Sequence, residues 1–267
     1  TLDLVTPTDL DAWAAALSKP AKLAYCETPS NPMMEIVDIA GVSQLCRSNS
    51  TIFVVDNCLM TSVLQRPLQF GADLVIHSAT KYLDGQGRVL GGAVVGSHEL
   101  IAPITQFIRS GGVTMSAFNA WIFLKGLETL DVRMKAHCAR AMELATWLED
   151  HPAVARVHYA GLLSHPQADL ITKQMRAGGG VLSLELKQLD QEMAWKFLNG
   201  TCMMSLTANL GDVKTTVCHP ATTTHGRLDR ADRHLMGIGE NLIRISVGLE
   251  SVEDIKTDCE RGFQALS

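Results

Sequence analysis

The sequence has no long apolar run, no cluster of basic residues and no CxxC pair of cysteines. Without a long apolar run or a signal peptide, we expect no membrane partner. A net charge of −5 with no basic run argues against nucleic acid as a partner. The seven cysteines are scattered along the chain, so we expect neither a disulfide framework nor a zinc site. Together these absences indicate a reducing, cytoplasmic setting and no metal ligands.

A complete dinucleotide-binding fingerprint is also missing. DGQG at 84–87 contains a GxG, but no helical pattern follows it. A nicotinamide-binding oxidoreductase would need the full GxGxxG directly after a strand, so the sequence argues against this class. We interpret 84–87 as a turn that leads into a strand from Ala93 to Val95.

The chain does have the material for a large core. Of its 267 residues 46% are hydrophobic, which suffices for one large domain or two ordinary ones. Apolar runs at 22–26, 51–56 and 74–76 predict strands, and a helical pattern from Ile36 to Ser48 lies between the first two. Strands that alternate with helices form parallel βαβ units, so the predicted fold class is α/β with a mostly parallel sheet.

The most informative stretch is ADLVIHSATKYLDGQGRVLGG at 72–92. Its apolar strand stops at Ser78 and Thr80, and Lys81 follows at once. Beside a buried strand end, desolvation disfavours an ammonium ion, and a neutral amine can attack a carbonyl group. Pyridoxal phosphate supplies such a carbonyl, and the two hydroxyl groups could donate to its phosphate. On this segment alone, a loop lysine in solvent is an equally good explanation.

A second strand, TIFVVD at 51–56, ends in an acid. The carboxyl ends of parallel strands line the ligand crevice, so we expect Asp56 to lie beside Lys81. A carboxylate opposite a pyridine nitrogen keeps that nitrogen protonated, which makes the ring an electron sink. His77 is a further candidate base, but it lies one residue from the strand end. We interpret it as a hydrogen-bonded core histidine.

Two polar residues elsewhere have a structural and a functional explanation. Asn31 lies in a loop with two prolines after the first strand, and from the residues alone an Asx turn explains it better than a ligand contact. Arg244 lies in NLIRISV at 241–247, whose alternation predicts an antiparallel strand with one face in solvent. A guanidinium group binds a carboxylate through two hydrogen bonds, but without context a surface arginine is the better explanation.

Residues 117–150 predict one long helix, with Gly126 as the candidate site of a kink. Thirty-four residues span about 50 Å at a regular helical rise, more than the width of one domain. We therefore expect this helix to join a domain at 1–125 to a smaller α+β domain at 126–267. An apolar stripe along the helix is expected to be core. Its residues are Trp121, Leu124, Leu127, Leu130, Met134, Cys138, Met142, Ala145 and Leu148.

Four motifs in order resemble the Cys/Met-metabolism family of pyridoxal phosphate enzymes. They are CETPSNPMME at 26–35, VVDN at 54–57, HSATKY at 77–82 and GGAVVG at 91–96. The family contains cystathionine synthases and lyases, methionine gamma-lyase and the homoserine-ester sulfhydrylases. The resemblance runs through the whole chain. It implies a fold-type I transferase with part of the large domain followed by the small one.

The resemblance also implies roles for individual residues in binding the cofactor. Lys81 would hold pyridoxal phosphate covalently, and Asp56 would keep its ring nitrogen protonated. The hydroxyl groups of Ser78 and Thr80 would bind the phosphate. Asn31 would hydrogen-bond the phenolic oxygen of the ring, which reverses the preference for an Asx turn.

The remaining motifs concern the substrate. RISVGLE at 244–250 matches the carboxylate-binding motif of the family, so Arg244 is expected to bind an amino-acid carboxylate. Asn209 occupies a position where the cystathionine enzymes usually have Ser and the sulfhydrylases have Asn. The stretches 82–92, 118–130 and 207–228 also resemble the sulfhydrylases, with O-succinylhomoserine and sulfide as the implied substrates. We interpret His219 and His225 as structural.

Members of the family also carry a further N-terminal portion. It holds a glycine-containing phosphate loop, a Tyr stacked on the ring and residues given to the neighbouring subunit. The opening TLDLVTPTDL shows none of these features, so we expect a C-terminal part of such an enzyme with an incomplete site. The resemblance implies a homotetramer built as a dimer of dimers. The alternative hypothesis is a non-catalytic remnant that folds and dimerises without keeping the cofactor.

Overall fold

A computed structural model describes residues 2–266, so Thr1 and Ser267, the end residues of the two predicted domains, lie outside the described part. The strands are β1 (Leu23–Glu27), β2 (Ile52–Asp56), β3 (Leu74–Ser78), β4 (Gly92–Gly96), β5 (Val154–His158), β6 (Val181–Leu186), β7 (Ser205–Leu206), β8 (Thr216–Cys218) and β9 (Leu242–Ser246). The helices are α1 (Leu10–Leu17), α2 (Ile39–Ser48), α3 (Thr61–Leu64), α4 (His98–Gly111), α5 (Ala117–Glu128), α6 (Leu130–Glu149), α7 (Ala168–Gln174), α8 (Gln191–Gly200), α9 (Arg230–Leu235) and α10 (Val252–Gln264).

The first sheet has the strand order β1-β2-β3-β4. β1, β2 and β3 are mutually parallel, and β4 pairs antiparallel with β3 at the edge. α2 crosses from β1 to β2 as predicted, but it begins at Ile39 rather than Ile36, because the carboxylate of Asp38 caps it by accepting from the Gly41 N–H at 2.9 Å. The predicted α/β fold with a mostly parallel sheet is confirmed.

The carboxyl end of β3 continues into a π-type turn at Ala79–Leu83. Lys81 lies inside this turn with φ −84° and ψ −130°, which is not helical. The chain then passes through Gly85 and Gly87, both with positive φ, before it enters β4. Gly85 has φ +73°, and a Cβ atom there would lie 2.1 Å from the guanidinium of Arg133, so a larger residue would be strained and would displace Arg133. The predicted turn at 84–87 is present.

The second sheet has the order β5-β6-β9-β8-β7. β9 is antiparallel to β6 and β8, as predicted, but the predicted solvent-exposed face is wrong, since all five of its residues are buried. Arg244 is only 1% exposed. Its guanidinium reaches across to the loop after β1, where it donates to Asn31 Oδ1 at 3.1 Å. Arg244, on the polar face of β9, therefore contacts the first half of the chain instead of water.

The predicted single helix at 117–150 is two helices, α5 and α6, with the break at Thr129 rather than at Gly126. At Gly126 a Cβ atom would lie 2.0 Å from the carbonyl oxygen of Leu83, so the α5 backbone packs directly on the lysine turn. Arg133, from the first turn of α6, donates to the carbonyl oxygens of Tyr82 at 2.8 Å and Gly126 at 2.7 Å. These tertiary contacts fix the break.

The apolar stripe predicted along this helical region is buried only in part. In α6, Leu130, Met134 and Leu148 are buried. In α5, by contrast, Trp121 is 53% exposed and Leu124 is 61% exposed. The buried face of α5 is offset from the predicted stripe and consists of Ile122, Phe123 and Gly126. Leu127 and Met142 are also exposed. No helix within residues 2–266 combines the length and the apolar content that crossing a bilayer requires.

We predict that Arg133→Met lowers the free energy of unfolding by about 3 kcal/mol, because two buried carbonyl groups lose a charged donor. Urea denaturation at neutral pH measures the change. Lys135→Met is the matched control, since Lys135 lies two residues further along α6 and forms an exposed ion pair with Asp131. Its expected effect is within about 0.5 kcal/mol of zero. Equal destabilisation by the two substitutions would contradict the role given to Arg133.

Candidate functional site

The carboxyl ends of the three parallel strands bring together two acids. Glu27 ends β1 and Asp56 ends β2, and the two residues are paired in register. The Asp56 carboxylate accepts hydrogen bonds from the Tyr25 hydroxyl at 2.9 Å and from the Cys58 N–H at 3.0 Å. These two donors fix the orientation of the carboxylate at the rim of the sheet.

Cys58 links the ends of β2 and β3. Its sulfur accepts a hydrogen bond from the Ser78 N–H at 2.6 Å, while its own N–H donates to Asp56. Burial, aided by the contact with Asp56, raises the pKa of the Cys58 thiol to about 12. A neutral thiol therefore connects the strand that carries the acid to the strand that leads into the lysine turn.

Lys81 is half-buried, and its Nζ donates to Asn209 Oδ1 at 2.6 Å. Burial lowers the pKa of the Lys81 amine, and the positive charge of Arg244 lowers it further. This direction agrees with the sequence-based expectation of a desolvated lysine. Asp56, which we expected beside Lys81, forms no ion pair with it within residues 2–266. The amine is held by a neutral amide oxygen instead.

Arg244 forms hydrogen bonds with residues that follow strands of both sheets. Besides its bond to Asn31, its guanidinium donates to the carbonyl oxygens of Ala208 at 2.8 Å and Asn209 at 3.3 Å. Its Nε is buried and has no hydrogen-bond partner within the described residues. Lys81, Asn209, Arg244 and Asn31 thus form one continuous chain of hydrogen bonds. The sequence predicted all four as site residues, and the structure brings them together.

The two predicted phosphate ligands lie on either side of the β3 end. Ser78 is partly exposed and contributes its backbone N–H to Cys58. The Thr80 hydroxyl donates to the Gly91 carbonyl oxygen at 3.4 Å and accepts from the Gly91 N–H at 3.3 Å. Both contacts are long for hydroxyl groups. Thr80 is therefore held only weakly by its present partner.

Three residues at this rim were missed by the sequence analysis: Tyr25, Glu27 and Cys58. For Cys58 and Glu27 the sequence contains a pattern that could have indicated their position. Cys58 follows Asp56 at the spacing of an Asx turn, in which an acid accepts from the N–H two residues on. Glu27 and Asp56 each end a neighbouring parallel strand, which predicts two acids side by side. Tyr25 carries no comparable signal, because it is an exposed residue on an edge strand.

Three histidines, predicted to be structural, lie near the site. His77 is buried as predicted, but its Nδ1 has no hydrogen-bond partner in the described part of the chain. His219 makes two structural contacts, with the Thr222 hydroxyl and the Glu240 carbonyl oxygen, both at 2.9 Å. His225 contacts the neighbouring Thr224 hydroxyl. Burial, followed by the charge of Arg244, lowers the pKa of His225.

This arrangement of two sheets is that of a fold-type I pyridoxal phosphate enzyme. The solved structure of cystathionine gamma synthase from Xanthomonas oryzae pv. oryzae, in complex with aminoacrylate and cysteine, matches it with a TM-score of 0.94. The two proteins are 36% identical, and the match covers 98% of this chain and 68% of that chain. The family model for Cys/Met metabolism PLP-dependent enzymes matches residues 1–264. The chain belongs to that family.

Two curated relatives carry the name O-succinylhomoserine sulfhydrylase. The protein from Pseudomonas aeruginosa is 52% identical over 258 residues, which is 97% of this chain and 64% of the relative. The protein from Mycobacterium tuberculosis is 44% identical over 259 residues, which is 96% of this chain and 64% of the relative. The chain therefore spans slightly less than two thirds of the length of these relatives.

The side chains present fit the cofactor of the family. Lys81 offers a half-buried amine of lowered pKa, and Asp56 offers an oriented carboxylate one strand away. Two buried nitrogens at the site, His77 Nδ1 and Arg244 Nε, have no protein partner within residues 2–266. An amine, an acid and an unpaired guanidinium N–H are among the groups that a pyridoxal phosphate site uses.

We predict that Glu27→Gln changes the pH dependence of stability. Burial, and then the charge of Asp56, raises the pKa of Glu27 to about 7. A raised carboxyl pKa means that the folded state binds more protons, so the wild-type protein loses stability as the pH rises from about 4.5 to about 7. The amide does not titrate. Glu27→Gln should gain about 2 kcal/mol relative to wild type between pH 5 and pH 8.

Urea denaturation of both proteins at pH 5 and pH 8 measures the difference. Glu128→Gln is the control, because Glu128 pairs with Lys125 on the surface and its side chain is 60% exposed. We expect no change of this size for it. If Glu27→Gln tracked the wild type at both pH values, Glu27 would be ionised in the folded protein.

Proposed function

We propose that the protein catalyses a gamma-replacement in which O-succinylhomoserine and sulfide give homocysteine and succinate. The observation that carries the proposal is the position of Asn209, whose side-chain oxygen lies 2.6 Å from Lys81 Nζ and whose carbonyl oxygen accepts from Arg244. Asn at this position is typical of the sulfhydrylases. Identity to the two sulfhydrylases, at 52% and 44%, exceeds the 36% to the cystathionine gamma synthase.

In this proposal the cofactor is held by residues from the first sheet. Lys81 would bind it covalently, and Asp56 would keep its ring nitrogen protonated. Ser78 and Thr80 would bind the phosphate, and Asn31 the phenolic oxygen. When bound, pyridoxal phosphate supplies a ring that withdraws electrons from the substrate carbon next to the bonded nitrogen.

The protein residues would then supply binding and proton transfer. Arg244 is buried, and its planar guanidinium is suited to hold the substrate carboxylate through parallel hydrogen bonds. The Lys81 amine, once released from the cofactor, would take a proton from the alpha carbon of the substrate and move protons at the beta carbon. The lowered pKa of Lys81 favours its neutral form, which such a base requires.

We also propose the domain division at 125/126. One hydrophobic cluster contains only residues from Trp13 to Ala72, and another contains only residues from Ala141 to Phe263. A third cluster joins residues of both parts, including Met60, Tyr82 and Met134. Two separate cores with a shared contact layer support two domains packed against each other.

A homotetramer is a further proposal. Phe107 on α4 and Phe118, Trp121 and Leu124 on α5 are all more than half exposed. Large apolar side chains gathered on two successive helices are typical of a surface that another protein segment covers. Light scattering combined with size-exclusion chromatography measures the oligomeric state, and four chains per particle is the expected result.

The proposal predicts a covalent label on one lysine. Sodium borohydride reduction of the cofactor-loaded protein, followed by peptide mass spectrometry, should place the cofactor mass on Lys81. Lys81→Arg should abolish the label and the visible absorbance of the cofactor. Lys135→Arg, at an exposed lysine, should keep both. Protein that stays colourless and unlabelled would instead support a non-catalytic remnant.

The substrate pair is tested by steady-state kinetics on the purified protein. We expect kcat/KM for O-succinylhomoserine to exceed that for O-acetylhomoserine by about tenfold or more. With sulfide the product should be homocysteine. Turnover with cysteine alone, giving cystathionine, would assign the protein to the cystathionine synthases. Turnover with the acetyl ester alone would assign it to the acetyl-ester sulfhydrylases.

A further inference from the structure

The segment 207–213 between β7 and β8 crosses from the second sheet to the lysine turn. At its start the Thr207 N–H donates to the Val217 carbonyl oxygen at 3.1 Å, within the second sheet. At its end the Val213 N–H donates to the Gly85 carbonyl oxygen at 2.8 Å, just beyond the lysine turn. The segment therefore spans the contact between the two sheets.

Gly211 is the point of closest approach within this segment. Its φ is +81°, and a Cβ atom there would lie 2.9 Å from the Tyr82 nitrogen and 3.1 Å from the Lys81 carbonyl carbon. Both of these are backbone atoms, which cannot move aside as a flexible side chain can. The Gly211 N–H donates to the hydroxyl of Ser246 at 2.9 Å, and Ser246 is fully buried on β9.

Asn209 lies two residues before this contact. Its carbonyl oxygen accepts from the Thr216 hydroxyl at 3.1 Å and from Arg244. Its side-chain oxygen is thereby directed at Lys81 Nζ. The backbone on one side of Asn209 is fixed by β8 and β9, and on the other side by Gly211 against the lysine turn.

We propose that Gly211, together with the Ser246 hydroxyl, positions the Asn209 amide on the Lys81 amine, and that a side chain at position 211 lifts the segment 207–213 away from Lys81. Gly211 and Ser246 are thus positioning residues. The inference rests on the proposed role of Lys81, and it adds that the conformation of the segment 207–213 controls the basicity of this amine.

The segment acts on the Lys81 amine in two opposite ways. The Asn209 oxygen accepts a hydrogen bond, which favours the charged ammonium form and raises the pKa. The amine is also buried, and this desolvation lowers its pKa. Because Gly211 packs against the backbone of Lys81 and Tyr82, lifting the segment away would admit water to the amine. Removing only the acceptor and displacing the whole segment should therefore shift the pKa in opposite directions.

The test is the pH dependence of acylation of Lys81 by acetic anhydride, measured by peptide mass spectrometry on the 267-residue chain before cofactor is added. Asn209→Ala should lower the pKa of Lys81 by about one pH unit, since the acceptor is lost while the amine stays buried. Gly211→Ala should raise it by about one pH unit towards the ordinary lysine value, since water reaches the amine and also takes the place of the lost Asn209 acceptor. Ser246→Ala should shift it in the same direction as Gly211→Ala, by less.

Gly112→Ala is the matched control. Gly112 also has a positive φ, +70°, but a Cβ atom there would meet nothing within 4 Å. It carries the same backbone strain without any contact to the site, so the pKa of Lys81 should not change. If Gly211→Ala does not fold, as judged by circular dichroism, Ser246→Ala alone tests the inference. A rise in the pKa of Lys81 supports it, and a fall or no change contradicts it.

An unchanged pKa of Lys81 in both Gly211→Ala and Ser246→Ala, or a fall in both, would overturn the inference. This outcome is separable from a failure of the proposed function, because acylation is measured without cofactor. If the variants show the expected pKa shifts but the wild-type protein takes no borohydride label, the positioning role of Gly211 and Ser246 stands and the proposed function is wrong.

Discussion

Desolvation of one amine is the constraint on which the arrangement depends. Lys81 is half-buried with the guanidinium of Arg244 close enough to lower its pKa, and no carboxylate pairs with it among the described residues. A carboxylate partner would hold the proton on the amine and make it a poor base. Asn209 accepts a hydrogen bond without adding negative charge, so the amine is oriented while its pKa stays low.

The site exists only where the two sheets meet. The parallel sheet contributes acids and the lysine turn from its strand ends, which is where ligands gather in such sheets. The antiparallel sheet contributes Arg244 from β9, a strand that is buried on both faces. Arg244 donates to Asn31 in the first half of the chain and to the carbonyl oxygens of Ala208 and Asn209 in the second half. Its guanidinium therefore links the two halves. Folding of one half alone would leave this guanidinium without several of its partners.

Most of the fold could be predicted because local patterns determine it. The strands predicted at 51–56 and 74–76 correspond to β2 and β3, and their parallel pairing follows from the helix between successive strands. The same patterns misplaced features that depend on distant partners. The alternation of apolar and polar residues in β9 showed that the strand has two different faces. It did not show that Arg244, on the polar face, contacts Asn31. The helix break at Thr129 depends on Arg133 binding to Tyr82, 51 residues away in sequence. The hydrogen bond from Tyr25 to Asp56 depends on strand register, which the sequence does not give. Cys58 and Glu27 did leave a signal, in the Asx-turn spacing and in the acid that ends each strand. The cofactor and substrate roles of the site residues stay predictions.

The buried thiol between β2 and β3 has a consequence for chemical selectivity. Aldehydes react with thiolates as well as with amines, and a reactive cysteine at this rim would compete with Lys81 for a cofactor that carries an aldehyde. With a pKa of about 12, Cys58 is almost entirely protonated at neutral pH. Burial and the neighbouring acid thus keep the sulfur unreactive. The protonation states of the two groups leave the Lys81 amine as the better nucleophile.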